Sequence, residues 1–337
     1  MKIQSLKHSF LSSLAVLLLM CPFASHGANY FISGDITRDG IVGIDDVTTL
    51  MNYILKGSTN GLLYSIWLVD VNLDGDVGID DVTTLLSYIL TGEPELPEYS
   101  GPPVPPEAEV FTVNGVSFAM VPVEGGTFMM GYNGTANSNP EHEVTLSDFS
   151  IGLTEVTRGL WKAVMGYNPN PIWNLTDMQA VAYVSWDDCQ EFIARLNELT
   201  GREFHLPSEA QWEFAARGGN YRLPTRFAGS DNFEEVAWFG LNTPIDGGTC
   251  PVGLKKPNEL GLYDMSGNAG EICQDGYELY TDEAQTDPIV PTQYSHGRWK
   301  KVVVRGGCTD QEYISVTNRF YIGHGEQFNT YGLRLAL

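Results

Sequence analysis

The chain has 337 residues, with 42 acidic side chains against 19 basic ones and a formal charge of −23. That balance excludes a nucleic-acid partner, because binding phosphate needs a basic footprint. With 43% hydrophobic residues and 36 glycines, the composition is too apolar for disorder and suits a loop-rich globular protein.

At the N-terminus, Lys2 and Lys7 precede an apolar run over residues 10–20, and Ser25-His26-Gly27 offers small residues at −3 and −1 of a cleavage point. The pattern predicts a secretory signal peptide over residues 1–27, too short to span a membrane, and so a secreted, periplasmic or cell-surface protein. Leu18-Leu19-Met20-Cys21 offers a second route, lipidation at Cys21, although Met20 is large for the residue before a lipidated cysteine. No other stretch is long and apolar enough for a transmembrane segment.

A twelve-residue acidic loop then occurs twice. Residues 35–46 read D-I-T-R-D-G-I-V-G-I-D-D, residues 70–81 read D-V-N-L-D-G-D-V-G-I-D-D, and residues 43–50 return unchanged at 78–85. Side-chain oxygens fall at positions 1, 3, 5 and 12 and glycine at 6, the ligand order of an EF-hand with Asp in the last place. The predicted Ca²⁺ ligands are Asp35, Thr37, Asp39 and Asp46, with the carbonyl of Ile41, then Asp70, Asn72, Asp74 and Asp81, with that of Asp76. Gly40 and Gly75 allow the sharp turn, and Gly43 and Gly78 leave room for a bridging water. After each loop the apolar residues recur at helical spacing: Val47, Leu50, Met51, Ile54 and Leu55, ended by Gly57, and Val82, Leu85, Leu86, Ile89 and Leu90, ended by Gly92.

Two loop-helix halves of this kind closely resemble a type I dockerin, over residues 29–92. The resemblance implies calcium-dependent docking onto a cohesin-like protein module, of the sort found in polysaccharide-degrading assemblies. It places the partner contacts at loop positions 10 and 11, here Ile44 and Asp45, and Ile79 and Asp80. Their identity implies a pseudo-symmetric surface able to dock either way round. Thr37 departs from the usual Asn or Asp, so the first loop is expected to be the weaker.

Residues 93–107 carry six prolines, which favour extended polyproline II and predict a semi-rigid linker. The remaining chain, residues 108–337, is long enough to bury its own core. Ser185 with Asp188, and Ser208 with Gln211, read as capping boxes for two helices that end at Gly201 and Gly218. A strand is predicted over residues 300–304. Four cysteines follow the signal segment, Cys189, Cys250, Cys273 and Cys308, and their even number permits two disulfides whose pairing stays open. The histidines show no metal-binding spacing, and no G-x-S-x-G elbow is present.

Six motifs then appear in order: V-E-G-G-T-F-M-M-G at Val123, V-S-W-D-D at Val184, H-L-P-S-E-A-Q-W-E-F-A-A-R-G-G at His205, G-L-Y-D-M-S-G-N-A-G-E at Gly261, R-G-G at Arg305 and Y-G-L-R-L-A at Tyr331. Together they resemble the formylglycine-generating enzyme, or sulfatase-modifying factor, family, a variant of the C-type lectin fold. The expected class is therefore α+β: a small all-α pair of calcium units, a linker and a large irregular α+β domain. The resemblance implies a structural Ca²⁺ on Asp264, Gly267, Ala269 and Glu271, and a second family calcium site lost at Val236. The family's two copper-binding cysteines fall on Gln311 and Val316, neither of which offers the soft thiolate that Cu(I) selects. Copper is not expected, and Gly270 also replaces a family tryptophan. A thiol pair relocated to Cys273 and Cys308 is the alternative.

Residues 311–331 run beside the family's active site and are rich in aromatic rings with polar tips, which suit recognition. Trp299, Gln311, Tyr313, Arg319, Tyr321, His324 and Asn329 are the predicted site for a peptide or glycan, with Phe320 expected in the core. Two readings follow: an exported calcium-binding adaptor whose large domain binds without catalysis, or an active modifying enzyme acting on exported sulfatases.

Overall fold

The computed structural model describes residues 34–36, 42–56, 71, 77–94, 96, 101–170, 176–240, 248–292, 301–309 and 313–337. The signal segment, Cys21, Thr37, Asp39, Ile41, Asp70, Asn72, Asp74, Asp76, Trp299 and Gln311 lie outside these residues. The chain divides into two compact units, Met1–Ser58 with Leu68–Glu98, and Thr59–Trp67 with Tyr99–Leu337.

In the first unit the two predicted helices form as α1 (Ile44–Lys56) and α2 (Ile79–Thr91) and pack on each other. Gly92 closes α2 in the left-handed conformation, φ 76°, its amide donating to the Tyr88 carbonyl at 2.7 Å. The core is small: Val47, Leu50, Val82 and Leu85, with Ile36 and Val71, are buried, while Met51, Leu55 and Leu90 stay exposed. The apolar stripe is thus narrower than its sequence pattern, because a two-helix unit covers only one side of each helix.

The second unit is built on short ladders, mostly antiparallel; Gln285–Thr286 beside His142–Leu146 and Tyr331–Gly332 beside Gly270–Gly276 run parallel. One sheet joins β1 (Glu109–Val113), β2 (Val116–Val123) and β5 (Phe149–Gly152), and another pairs β3 (Gly126–Met130) with β4 (His142–Leu146) and β9 (Gln285–Thr286). The central sheet runs β11 (Phe320–Gly323), β10 (Lys301–Arg305), β8 (Gly270–Gly276), β12 (Tyr331–Gly332). The expected strand at 300–304 is β10. Between β5 and β8 come α3 (Arg158–Met165), α4 (Trp186–Thr200), α5 (Glu209–Ala216), the short α6 (Phe233–Val236), and β6 (Ala237–Trp238) beside β7 (Ser266–Gly267).

Both capping boxes form, Ser185 Oγ accepting from the Asp188 amide at 3.2 Å and Ser208 Oγ from the Gln211 amide at 3.1 Å. α4 ends at Gly201 as expected, whereas α5 stops at Ala216 and Gly218 instead opens a short 3₁₀ turn. α3 and α4 meet through Trp161 stacked on Phe192 at 4.9 Å. The linker is not free along its length: Pro102 packs over Gly253 and Pro105 over Gly261, both within the second unit.

Candidate functional site

In the first unit the terminal loop acids are drawn inward. Asp35, Asp46 and Asp81 are fully buried. Asp46 Oδ2 accepts from the Gly43 amide at 2.7 Å; Asp81 accepts from Gly78 at 2.8 Å and, through its other oxygen, from Val71 at 2.7 Å. Each last-position carboxylate therefore folds back over its own loop, and that of Asp81 is fixed by two amides. At the docking positions Asp45, Ile79 and Asp80 are exposed and Ile44 is half-buried.

The large domain holds a buried lattice of opposite charges. Arg305 pairs with Glu209 at 2.9 Å and Glu213 at 2.5 Å. Arg319 grips both oxygens of Glu209 at 2.6 and 2.7 Å, donates to the carbonyls of Asn137 and Glu278, and lies 3.7 Å from the Tyr280 ring centre. Burial pushes the Glu209 carboxyl up, but Arg319 and then Arg305 outweigh it and hold it below the ordinary value. Arg319 is 4% exposed, which corrects the expectation that it reads a ligand at the surface: it is an internal brace.

The other described members of the predicted recognition stretch do reach solvent. Tyr313 and Tyr321 are exposed, and Tyr321 carries Lys301 Nζ 3.6 Å from its ring centre, with the Tyr277 ring 4.7 Å away. His324 is half-buried against Trp186, ring centres 4.2 Å apart, with its Nδ1 3.0 Å from Asp187. Exposed Asn329 follows Phe328, also exposed. The Phe328 carbonyl accepts from the Tyr183 amide at 2.9 Å, and Gln327 donates to Asp188 at 2.8 Å. The loop after β11 is thereby tied to the start of α4. Tyr183 escaped the sequence reading; only its place before the V-S-W-D-D motif pointed to it. It is 40% exposed and held at φ 66°, which a non-glycine residue adopts only under constraint. Phe320 is half-buried, short of the core position expected for it.

Of the family's two thiol positions, Gln311 lies outside the described residues and Val316 is buried among apolar side chains, its carbonyl accepting from Arg305 at 2.8 Å. Cys189, Cys250, Cys273 and Cys308 are fully buried and none is in a disulfide, so the two bridges their number permits are not formed. Burial, and then the Glu209 charge, push the Cys273 thiol well above its ordinary value. A thiol so placed is a poor nucleophile and a poor metal ligand.

The segment expected to wrap calcium is a tight turn. Asp264 and Asn268 are left-handed, and a side chain at Gly267 would collide with the Trp238 carbonyl. Glu271, however, has both oxygens engaged: Arg334 donates to them at 2.7, 2.9 and 3.0 Å, and Trp212 Nε1 donates at 2.7 Å. Its assignment as a calcium ligand is corrected accordingly. Asp264 Oδ2 accepts from the Gly253 amide at 2.6 Å, while its Oδ1 has no hydrogen-bond partner. Beside it is Glu155, which the sequence reading passed over. Its Oε1 accepts from the Ala269 amide at 3.3 Å, and its buried Oε2 is likewise without a partner. Burial and then the Asp264 charge raise the Glu155 carboxyl well above its ordinary value. Val236, at the family's other calcium site, is buried in an apolar cluster. Among the described residues no three His, Cys, Asp or Glu side chains form a metal cage.

The profile of the sulfatase-modifying factor enzyme 1-like domain matches residues 107–337. The chain belongs to that family. Among its relatives is a protein of Paenibacillus barcinonensis named chaperone protein LppX, 34% identical over 65% of this chain and 86% of its own length. The formylglycine-generating enzyme of Streptomyces coelicolor is 32% identical over 42% of this chain, which spans 45% of that enzyme. Among solved structures, Treponema denticola variable protein 1 superposes with a TM-score of 0.61 at 28% identity, over 69% of this chain and 99% of its own. PvdO of Pseudomonas aeruginosa, at 23% identity and a TM-score of 0.59, shares the fold. These relatives agree with the mixed α+β architecture of the family.

Proposed function

We propose that the protein is an exported, calcium-binding adaptor. Its first unit docks through dockerin-like loops onto a cohesin-like module, and its large domain binds a ligand without catalysing a reaction. The observation that carries this reading is Val316: the position at which the family holds a copper-binding cysteine is an apolar side chain sealed in the core. Thioether or thiolate sulfur is what Cu(I) takes, and a buried isopropyl group supplies none. Fold likeness to an enzyme does not restore a missing site.

The ligand surface comprises Tyr183, Tyr313, Tyr321, His324, Phe328 and Asn329. Rings with polar edges held on braced loops bury much area at small entropic cost. Likeness to a relative named a chaperone favours a polypeptide ligand over a glycan, and export places both ligand and docking partner outside the cytoplasm. The test is to incubate the protein with a cysteine-containing sulfatase peptide, copper, reductant and oxygen. Mass spectrometry is expected to find the cysteine unmodified. Formylglycine that disappears on Cys273→Ser or Cys308→Ser would establish the enzymatic reading instead.

A further inference from the structure

We infer that the large domain carries a groove for extended proline-rich chain, notched at Gly253 and Gly261, and that residues 101–105 of the protein's own linker fill it in cis.

A strand in the polyproline II form turns once in three residues, so every third side chain shares a face. The linker keeps that period where it lies on the domain. Pro102, Pro105 and Ala108 are half-buried, whereas Pro103, Val104, Pro106 and Glu107 are exposed. Each inward ring meets a glycine. A Cβ on Gly253 would lie 2.5 Å from Pro102 Cγ, and one on Gly261 would lie 3.2 Å from Pro105 Cγ. Both glycines are left-handed, φ 75° and 76°, a conformation that asparagine also tolerates. The backbone alone would admit a side chain at Gly253; the seated ring does not.

The notches are fixed by the domain and not by the linker. The Gly253 amide donates to Asp264 at 2.6 Å, the Val252 amide to the Met178 carbonyl at 3.0 Å, and the Gly261 amide to the Asn258 carbonyl at 2.9 Å. Among the described residues no backbone hydrogen bond joins residues 101–106 to the domain; the one that Pro105 accepts comes from Ala108, next along the strand. Proline has no N–H to add to a ladder, so rings in notches hold the strand. This is ring-by-ring docking of a chain that is stiff before it binds, with glycine notches where such grooves commonly have aromatic walls. A strand held in this way also leaves without breaking a backbone hydrogen bond.

The fit is looser than a core seam, which is close-packed. Beneath Gly101, Pro102 and Val104 lies a cavity of about 150 Å³, walled by Met178 and Val252 and reaching Glu155. The groove is roomier than its resident and admits strands with bulkier residues beside the prolines. It shares no residue with the aromatic surface proposed above, so the two sites stand or fall separately. Tethering holds the linker at an effective concentration of about millimolar, which a competing proline-rich segment has to overcome.

The experiment titrates a fluorescein-labelled peptide of residues 101–107, G-P-P-V-P-P-E, with the full chain and reads fluorescence polarisation. In one variant Pro102→Ser, Pro103→Ser, Pro105→Ser and Pro106→Ser are combined, which empties the groove and leaves no second proline pair to slide into it. That chain is expected to bind the peptide at least about tenfold more tightly than the wild type, in which the tethered strand competes. Adding Gly253→Asn, which keeps the left-handed backbone and fills the notch, is expected to abolish the binding. Gly261→Asn takes its place if thermal unfolding shows that Gly253→Asn does not fold. Equal affinity for the wild type and the serine variant, no binding to either, or binding that survives the notch substitution overturns the inference.

Discussion

Replacing Arg319 with alanine removes a guanidinium that makes four hydrogen bonds inside the fold and leaves Glu209 with one arginine fewer. Breaking a buried ion pair from one side costs about 3–5 kcal/mol. Urea unfolding of Arg319→Ala should therefore show a loss of that order, whereas Tyr321→Ala, at an exposed ring, should stay within about 0.5 kcal/mol of the wild type. Tyr183 behaves in the opposite sense. Its left-handed backbone carries strain of about 1–3 kcal/mol, so Tyr183→Gly should unfold no earlier than the wild type. A residue kept at such a cost, half in solvent, is placed for contact and not for packing. These two positions also show what a sequence can and cannot say at this scale. Arg319 and Tyr321 look alike as polar members of one strand region, and only the partners folded around them, 110 residues away for Glu209, separate brace from surface.

Elements with local signatures were legible in the chain. α1, α2, α4 and α5 announce themselves by apolar spacing, capping boxes and terminal glycines, all local to the helix itself. α3 did not, because it spans eight residues and carries Gly159 inside it; its Thr157 cap and Gly166 terminator were the available signals. Most of the short strands were equally silent, since their ladders join segments far apart, such as β8 with β10. The calcium unit leads to a prediction at this scale. Its core is a handful of aliphatic side chains, and its loop acids repel one another until an ion neutralises them. No Lys or Arg lies between Lys56 and Arg158, so tryptic cleavage at the end of α1 is a clean report on this unit. EDTA should accelerate that cut at least tenfold in the full chain, with Asp81→Ala reproducing the effect in calcium. Equal rates with and without chelator would remove calcium from the account of this fold.

For the large unit as a whole, stability should fall on acidification. Glu209 and Glu213 are buried, yet their arginine partners hold both below the ordinary carboxylate value. A depressed carboxylate stabilises above its unfolded value and loses that contribution as pH falls through the folded one. The contribution of these two ion-paired carboxylates to the urea midpoint should thus be lost below about pH 4, leaving Arg305 and Arg319 buried without counter-charges. The family of residues 107–337 was readable from ordered motifs, but the buried acid beside Asp264 was not, because Glu155 lies over a hundred residues from it. The seating of the linker prolines has a practical consequence for anyone who divides this protein. The family match begins at residue 107, and a domain cut there would be stripped of Pro102 and Pro105, uncovering Gly253, Gly261 and the cavity wall beside Glu155. The long run of the second unit begins at Tyr99, and a fragment trimmed to the homology boundary would be a different molecule, with a wound where a lid belongs.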